Sequence, residues 1–525
     1  MLAGLPQYHD VFSVSGNLRE QDDRARVVFR DGDGAAEEEA MDFLKRSLHG
    51  IVFCALALFL ASGWIVSGAG AGPDGQGTGV STGLEGEDRP AARRPMSRSN
   101  PQGNPLQDSN QPVGIAVDSQ GNAYVTGQWV NTSGNSDFAT IKYSKAGAAA
   151  WVRHYNGPAK GDDLAGGIAV DSAGNAYVTG ASPGTGTQED FATVKYSRSG
   201  EQQWIRRYNG PVSRSDWPTG IAVDSSGNAY VTGDSQVSDT RWDFTTVKYD
   251  SAGKQLWAKR YNGPLKGSSR PSGIAVDSFG NAYVTGTSQS GESEFDFATV
   301  KYDSSGKQIW ARRHTRSGSS VNYPVGLAVS KSSVYVSGGT QGSSSSQDYT
   351  TVSYDKTTGN RKWVKNFDSG TGNDNPSAVA ACGNVGAYVT GSSGDGDFLT
   401  VKYDSSGALV WTKRYNGPAR GSDFARAIAV DSSGAAYVTG QSDGSGTGTD
   451  FATIKYGPGG KTCWVQRFNG KGNGQDTPSA IAVDSAGNVY VTGQSQLSSS
   501  DDFGFATVKY DSSGKRTWVK YYSGQ

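Results

Sequence analysis

The chain has 525 residues, with 49 Lys and Arg against 50 Asp and Glu, 73 Gly and a mean hydropathy of −0.53. A formal net charge of −1 removes any global electrostatic reason to bind nucleic acid, and none is expected as a partner. Low hydropathy with abundant Gly and Ser is typical of disordered chains, yet here Tyr, Trp, Val and Ile recur at fixed intervals and supply the bulk of a core.

Residues 1–40 are charged and carry no repeat. Met41 opens a segment in which Lys45 and Arg46 precede the apolar run Ile51–Ala61, and Ala69-Gly70-Ala71 follows as a small-residue cleavage pattern. A basic start, a short apolar core and small residues at the cut are the parts of a secretory signal, so 41–71 is expected to be one, with Met41 as the true start. Left uncleaved, the run is barely long enough to anchor the chain in a membrane. In either case the rest is expected outside the cytoplasm: extracellular, on the cell surface or periplasmic. Membrane contact is expected only through such an anchor. Residues 72–112, rich in Gly, Pro and Ser, read as a flexible linker. Cys54, Cys382 and Cys463 have no C-x-x-C spacing, and no disulfide is expected among them.

From residue 113 to 525 one motif repeats. Tyr-Val-Thr-Gly stands at Tyr124–Gly127, Tyr177–Gly180, Tyr230–Gly233, Tyr283–Gly286, Tyr388–Gly391, Tyr437–Gly440 and Tyr490–Gly493, and as Tyr-Val-Ser-Gly at Tyr335–Gly338; successive glycines are 53, 53, 53, 52, 53, 49 and 53 residues apart. The third copy shows the unit. Gly220–Asp224 reads as a short apolar strand, Ser225–Asn228 as a tight turn and Ala229–Gly233 as a second strand; after a variable loop, Asp243–Tyr249 reads as a third, alternating and β-branched. Asp250–Gly253 is a second turn, and Lys254–Tyr261 a fourth strand ended by Asn262-Gly263-Pro264. Four antiparallel strands in such a period form a propeller blade. Eight copies, with eight matching Trp from Trp151 to Trp518, predict an all-β chain folded as a single eight-bladed propeller over 113–525.

Gly-Ile-Ala-Val-Asp-Ser-x-Gly-Asn-Ala-Tyr-Val-Thr-Gly followed by Asp-Phe-x-Thr-Val-Lys-Tyr resembles the bacterial SBBP (β-propeller) repeat. That family's name implies seven blades, whereas the copies here number eight; the resemblance implies the fold and no particular reaction. Gly-x-x-x-Trp in the fourth strand also resembles the outer strand of eight-bladed quinoprotein dehydrogenases. The first repeat begins on its first strand and the last ends on its fourth, so closure is expected by packing of blade on blade, helped by residues 100–112.

Several constant positions are polar. Asp118, Asp171, Asp224, Asp277, Asp431 and Asp484 precede tight turns and are read as turn caps rather than a ring of metal ligands. The aspartates that open the third strand, Asp137 and Asp243 among them, are expected to pair with the lysines of the same strand, such as Lys142 and Lys248, or with backbone. His154 and His314 lie apart on outer strands, and neither is expected to be a general base. No Gly-x-Ser-x-Gly elbow, phosphate loop or metal-ligand spacing occurs. No cofactor and no metal are expected.

The copies diverge on one rim, in the second-to-third-strand loops and the loops between blades, where binding usually resides. Five residues before each first-strand aliphatic stand Asn110, Asp163, Asp216, Ser269, Asn322, Asp374, Asp423 and Asp476, followed by Gln111, Leu164, Trp217, Arg270, Tyr323, Asn375, Phe424 and Thr477. With the first strand innermost, these ring the channel mouth. Asp163, Asp216, Trp217, Arg270, Tyr323, Asp374, Asp423, Phe424 and Asp476 are therefore the candidate ligand-binding set. The competing reading makes each aspartate a turn cap and its neighbour a packing residue. The function expected is that of an exported, non-catalytic module binding carbohydrate or protein at the cell surface, as a monomer. The alternative is an extracellular propeller enzyme, a quinone-dependent oxidoreductase or a polysaccharide-active one.

Overall fold

The computed structural model describes residues 65–68 and 110–524, apart from 293, 317–321, 342–345 and 499–501. The chain divides after Ala57, and Leu58–Gln525 is the unit described below. The charged segment 1–40, Cys54, residues 72–109 of the linker and all of the leader but Ile65–Gly68 lie outside the described residues.

Every regular element among the described residues is a β-strand. Thirty-two of them form eight antiparallel sheets in simple up-and-down order, four consecutive strands to a blade. Blade three is Asp216–Val223, Ala229–Gln236, Trp242–Tyr249 and Gln255–Tyr261. First strands touch first strands round the ring, from Gln111–Val117 to Asp476–Val483 and back, so they are innermost. A further short strand, Ile65–Gly68, runs parallel to the last blade's inner edge in register with Ala480–Val483.

The first strand is longer than the sequence suggests. It begins at the aspartate of the mouth set, because a bulge at Thr219 between Pro218 and Gly220 carries the pairing past the proline. In blade one pairing starts at Gln111, two residues inside the segment read as linker.

Blade-to-blade cohesion explains most of the constant residues. The Tyr124 hydroxyl sits between Asp118 Oδ2 (3.1 Å) and the Gly174 carbonyl of the next blade (2.9 Å). Lys142 lies over the Tyr124 ring, Nζ 4.8 Å from its centroid, and donates to the Arg198 carbonyl of that next blade at 2.9 Å; Trp151 Nε1 donates to the same carbonyl at 3.1 Å. The indole covers Gly200, whose φ is +86 and whose added Cβ would stand 2.6 Å from Trp151 Cγ, so both backbone and packing require glycine there. The lysine therefore does not pair with the aspartate of its own strand. It alternates with the apolar residues, faces the neighbouring blade and finds a carbonyl there.

The same latch closes the ring. Tyr490 donates to the Gly121 carbonyl at 2.9 Å, and Lys509 and Trp518 both donate to the Lys145 carbonyl, at 3.0 and 3.2 Å. Asn110 adds bonds to the Phe503 and Ser523 carbonyls. Closure is thus by blade-on-blade packing, with each blade made of contiguous chain. Cys382, buried where six other copies have the turn aspartate, and Cys463 at the surface are not joined to each other in a disulfide.

Candidate functional site

The constant turns lie on one rim, where the turn aspartates act as caps. Asp224 Oδ1 accepts from the Ser226 and Asn228 amides, while Oδ2 accepts from Asn228 Nδ2. Among the described residues no group of three His, Cys, Asp or Glu is placed to hold a metal ion.

On the opposite rim, the acidic members of the candidate set turn away from the channel. Asp163, Asp216, Asp374, Asp423 and Asp476 are fully buried. Four of them clamp the Asn-Gly corner that ends the preceding blade: the amides of Gly157, Gly210, Gly417 and Gly470 donate to Oδ2 of Asp163, Asp216, Asp423 and Asp476 at 2.6, 2.5, 2.7 and 2.6 Å. Asp374 clamps Ser369 instead, through its amide and its hydroxyl, both at 2.6 Å. A Cβ on Gly210 would lie 2.4 Å from Ser235 Oγ and 2.6 Å from Asp216 Oδ1, which excludes any larger residue. Burial pushes the carboxyls of Asp163, Asp216 and Asp476 up to about 6, although a serine hydroxyl and the glycine amide pull each back. The aspartates thus occupy the turn-capping role that the sequence also allowed.

Next to these clamps lie the third-strand aspartates. In blades two, four and seven their partner is a fourth-strand arginine of the same blade: Arg207 on Asp190 at 2.8 Å, Arg313 on Asp296 at 2.9 Å and Arg467 on Asp450 at 2.8 Å. Blade five has Asn366 at the arginine position, and Arg316 reaches in from the loop before it to hold Asp348 at 2.6 Å. In blade one the arginine position is His154, stacked on Trp129 at 4.2 Å, with Nε2 2.5 Å from the Tyr522 hydroxyl of the last blade. His154 is therefore a seam residue. His314 is buried against Phe297 at the blade four–five boundary.

The residues after the aspartates are more accessible than the aspartates themselves. Trp217, Arg270 and Tyr323 are half-buried and Phe424 is exposed, each one residue along the inner strand from a buried one. Each stands opposite a second-strand residue: Trp217 by Asp234, Arg270 by Thr287, Tyr323 by Gly339, Phe424 by Gln441. Gln111 opposite Gln128 and Thr477 opposite Gln494 complete an amide-rich arc across blades seven, eight and one. Arg270 lies over Trp242, 4.8 Å from the ring centroid, with Nη1 3.9 Å from Asp234 Oδ2, which ties blade four to blade three. The Tyr323 hydroxyl is 2.6 Å from Gln347 Oε1.

Sequence reasoning missed Arg426. It occupies the bulge of blade seven's inner strand, where the other blades carry Val113, Gly166, Thr219, Ser272, Val325, Ser377 and Ser479. Nη2 donates to Gln441 Oε1 at 2.7 Å, and burial pulls the guanidinium down to about 10. The signal was present in the sequence as the one charged residue at a position otherwise small or apolar.

Inner strands lining an axis and four consecutive strands to each of eight blades make this chain an eight-bladed β-propeller. It carries the SBBP repeat: the family model described as "Beta-propeller repeat" matches residues 103–128, 203–239, 256–292, 410–446 and 464–496. No curated protein matches the sequence. Among solved structures, the chain is similar to a europium-containing methanol dehydrogenase (12% identity, TM-score 0.40, 73% of this chain and 83% of that one). It is likewise similar to the quinohemoprotein alcohol dehydrogenase of Comamonas testosteroni (12%, 0.39, 85% and 69%). A third is the β-propeller domain of the trilobed protease of Pyrococcus furiosus (8%, 0.40, 66% and 93%). Likenesses this distant carry no argument about chemistry.

Proposed function

We propose that this protein is an exported, non-catalytic binding module that takes a carbohydrate over the channel mouth. The observation that carries the reading is the arrangement of the inner strands. They are nearly identical along their lower half, yet at the mouth each presents a different side chain, and three are the half-buried or exposed aromatics Trp217, Tyr323 and Phe424. Aromatic faces flanked by amides (Gln111, Gln128, Gln441, Gln494) suit a ligand with apolar ring faces and many hydroxyls. The buried aspartates keep the loops rigid, so the aromatic crown is pre-organised and less affinity is lost to ordering. The leader-like segment 41–71 supports export.

A glycan array probed with the full chain and with Trp217, Tyr323 and Phe424 all changed to Ala tests this reading. Loss of glycan binding with an unchanged thermal melt is expected. Equal binding by both proteins removes the site, and capture of envelope proteins without any glycan signal replaces carbohydrate by protein as the ligand.

A further inference from the structure

Five blades end in an Asn-Gly corner: Asn156-Gly157, Asn209-Gly210, Asn262-Gly263, Asn416-Gly417 and Asn469-Gly470. The loops are otherwise alike. Each places the residue after next from the glycine's neighbour, namely Lys160, Ser213, Lys266, Arg420 or Asn473, in the left-handed region with φ between 49 and 56. In four of them the glycine amide is held by the buried aspartate described above. The fifth has no carboxylate there. Ser269 takes the place of the aspartate, and its hydroxyl is directed to Ser288 Oγ at 3.0 Å. Gly263 also departs in backbone: it alone of the five corner glycines has a positive φ, +67. The neighbouring guanidinium does not set this corner apart: Arg313 Nη1 is 3.7 Å from where a Cβ of Gly263 would be, and Arg467 Nη1 is 3.2 Å from that point at Gly417.

We propose that Asn262 is a site of spontaneous succinimide formation, and that the aspartates of the other four loops protect their Asn-Gly corners from the same reaction. The Gly263 nitrogen loses its proton and attacks Asn262 Cγ. The new N–Cγ bond forms as the Cγ–Nδ2 bond breaks, and the side-chain amide leaves as ammonia carrying the proton that the glycine nitrogen gave up. Water then opens the ring at either carbonyl, leaving aspartate or isoaspartate, with no change of oxidation state. At Gly210 the same first step breaks a 2.5 Å bond to a carboxylate and sets an amide anion against a buried negative charge, both unfavourable in a low dielectric. At Gly263, where Ser269 replaces the aspartate, neither cost applies. Asn473-Gly474 stands elsewhere in its loop and is outside this comparison.

The test is peptide mapping of the folded full chain, aged in mildly alkaline buffer, with the deamidated and isoaspartyl forms of each corner quantified over time. Asn262 is expected to convert several-fold faster than Asn156, Asn209, Asn416 and Asn469, and Ser269→Asp is expected to slow it to their level. Equal rates at all five corners of the wild-type protein overturn the proposal, and that comparison needs no variant. A folded Ser269→Asp protein in which Asn262 converts as fast as before overturns it too.

Discussion

Replacing His314 with Phe is expected to stabilise the ring, by a margin that grows as the pH falls. His314 is 7% exposed, meets Phe297 edge to face at 5.8 Å, and among the described residues has no hydrogen-bond partner on either ring nitrogen. The other seven blades place Tyr or Phe at this point of the fourth strand, so the backbone accommodates a six-membered ring. An unsatisfied buried polar group costs about 1–3 kcal/mol, and the substitution recovers that much near neutral pH. Burial first, and then Arg361, push the imidazole down to about 4; Arg316 adds to this and Asp296 opposes it. Because the native value lies below the unfolded value of about 6.5, the unfolded chain takes up the proton first. Stability is intact above about pH 6.5 and is lost as the pH falls toward 4. At about 1.4 kcal/mol per unit, the loss between about pH 7 and pH 5 is roughly 2 kcal/mol. Urea unfolding of both proteins at the two pH values measures it. The buried aspartates, whose raised values stabilise the native state as the pH falls, titrate in both proteins and cancel in the difference. A gap between the proteins that stays constant or narrows on acidification refutes the reasoning.

At the ring seam, Lys509→Met removes a charged donor to the Lys145 carbonyl and is expected to cost about 1.5–3 kcal/mol, the same as Lys195→Met inside the ring, when thermal melts are compared. A seam that is markedly weaker or stronger shows that closure depends on something other than the common latch. Arg316→Ala leaves Asp348 buried without its cation and is expected to cost roughly 3 kcal/mol. Adding Asn366→Arg, which restores the arginine of the other blades, is expected to return most of that in a chemical denaturation series; no rescue argues against the substitution of one arginine for the other.

Blade number, strand order and turn-capping aspartates were legible in the sequence because each depends on residues a few positions apart. The lysine's partner was not. Lys142 reaches a carbonyl 56 residues on, in another blade, and only ring geometry brings Arg198 O to it. The aspartate opening the third strand looked like its natural partner, yet the fourth-strand arginine across the ladder lies nearer. The mouth set was half legible. Its spacing picked out the aspartates and aromatics, but the strand was read as starting at Gly220. The bulge at Thr219 keeps the strand going, with Asp216 buried and Trp217 half-buried on it. The same misread strand start hid Arg426, which lies at the equivalent bulge of blade seven.

The two rims divide the polar chemistry of the repeat between them, and this division constrains where a ligand fits. On the constant rim, each turn aspartate is committed to two backbone amides, a tyrosine and either an asparagine or, at Asp431, a serine, and each latch lysine is committed to the next blade. A ligand there would have to break contacts that hold neighbouring blades together, and breaking one opens a ring whose stability is shared between adjacent units. Beneath the varied rim, the Asp–Arg pairs and the aspartate clamps perform that cohesive work out of sight of solvent. The inner-strand residues above them are left free to differ. Trp217, Tyr323, Asn375 and Phe424 can thus change from copy to copy without touching a latch, Arg270 alone among them bracing two blades, and the mouth is where eight near-identical blades acquire eight different side chains.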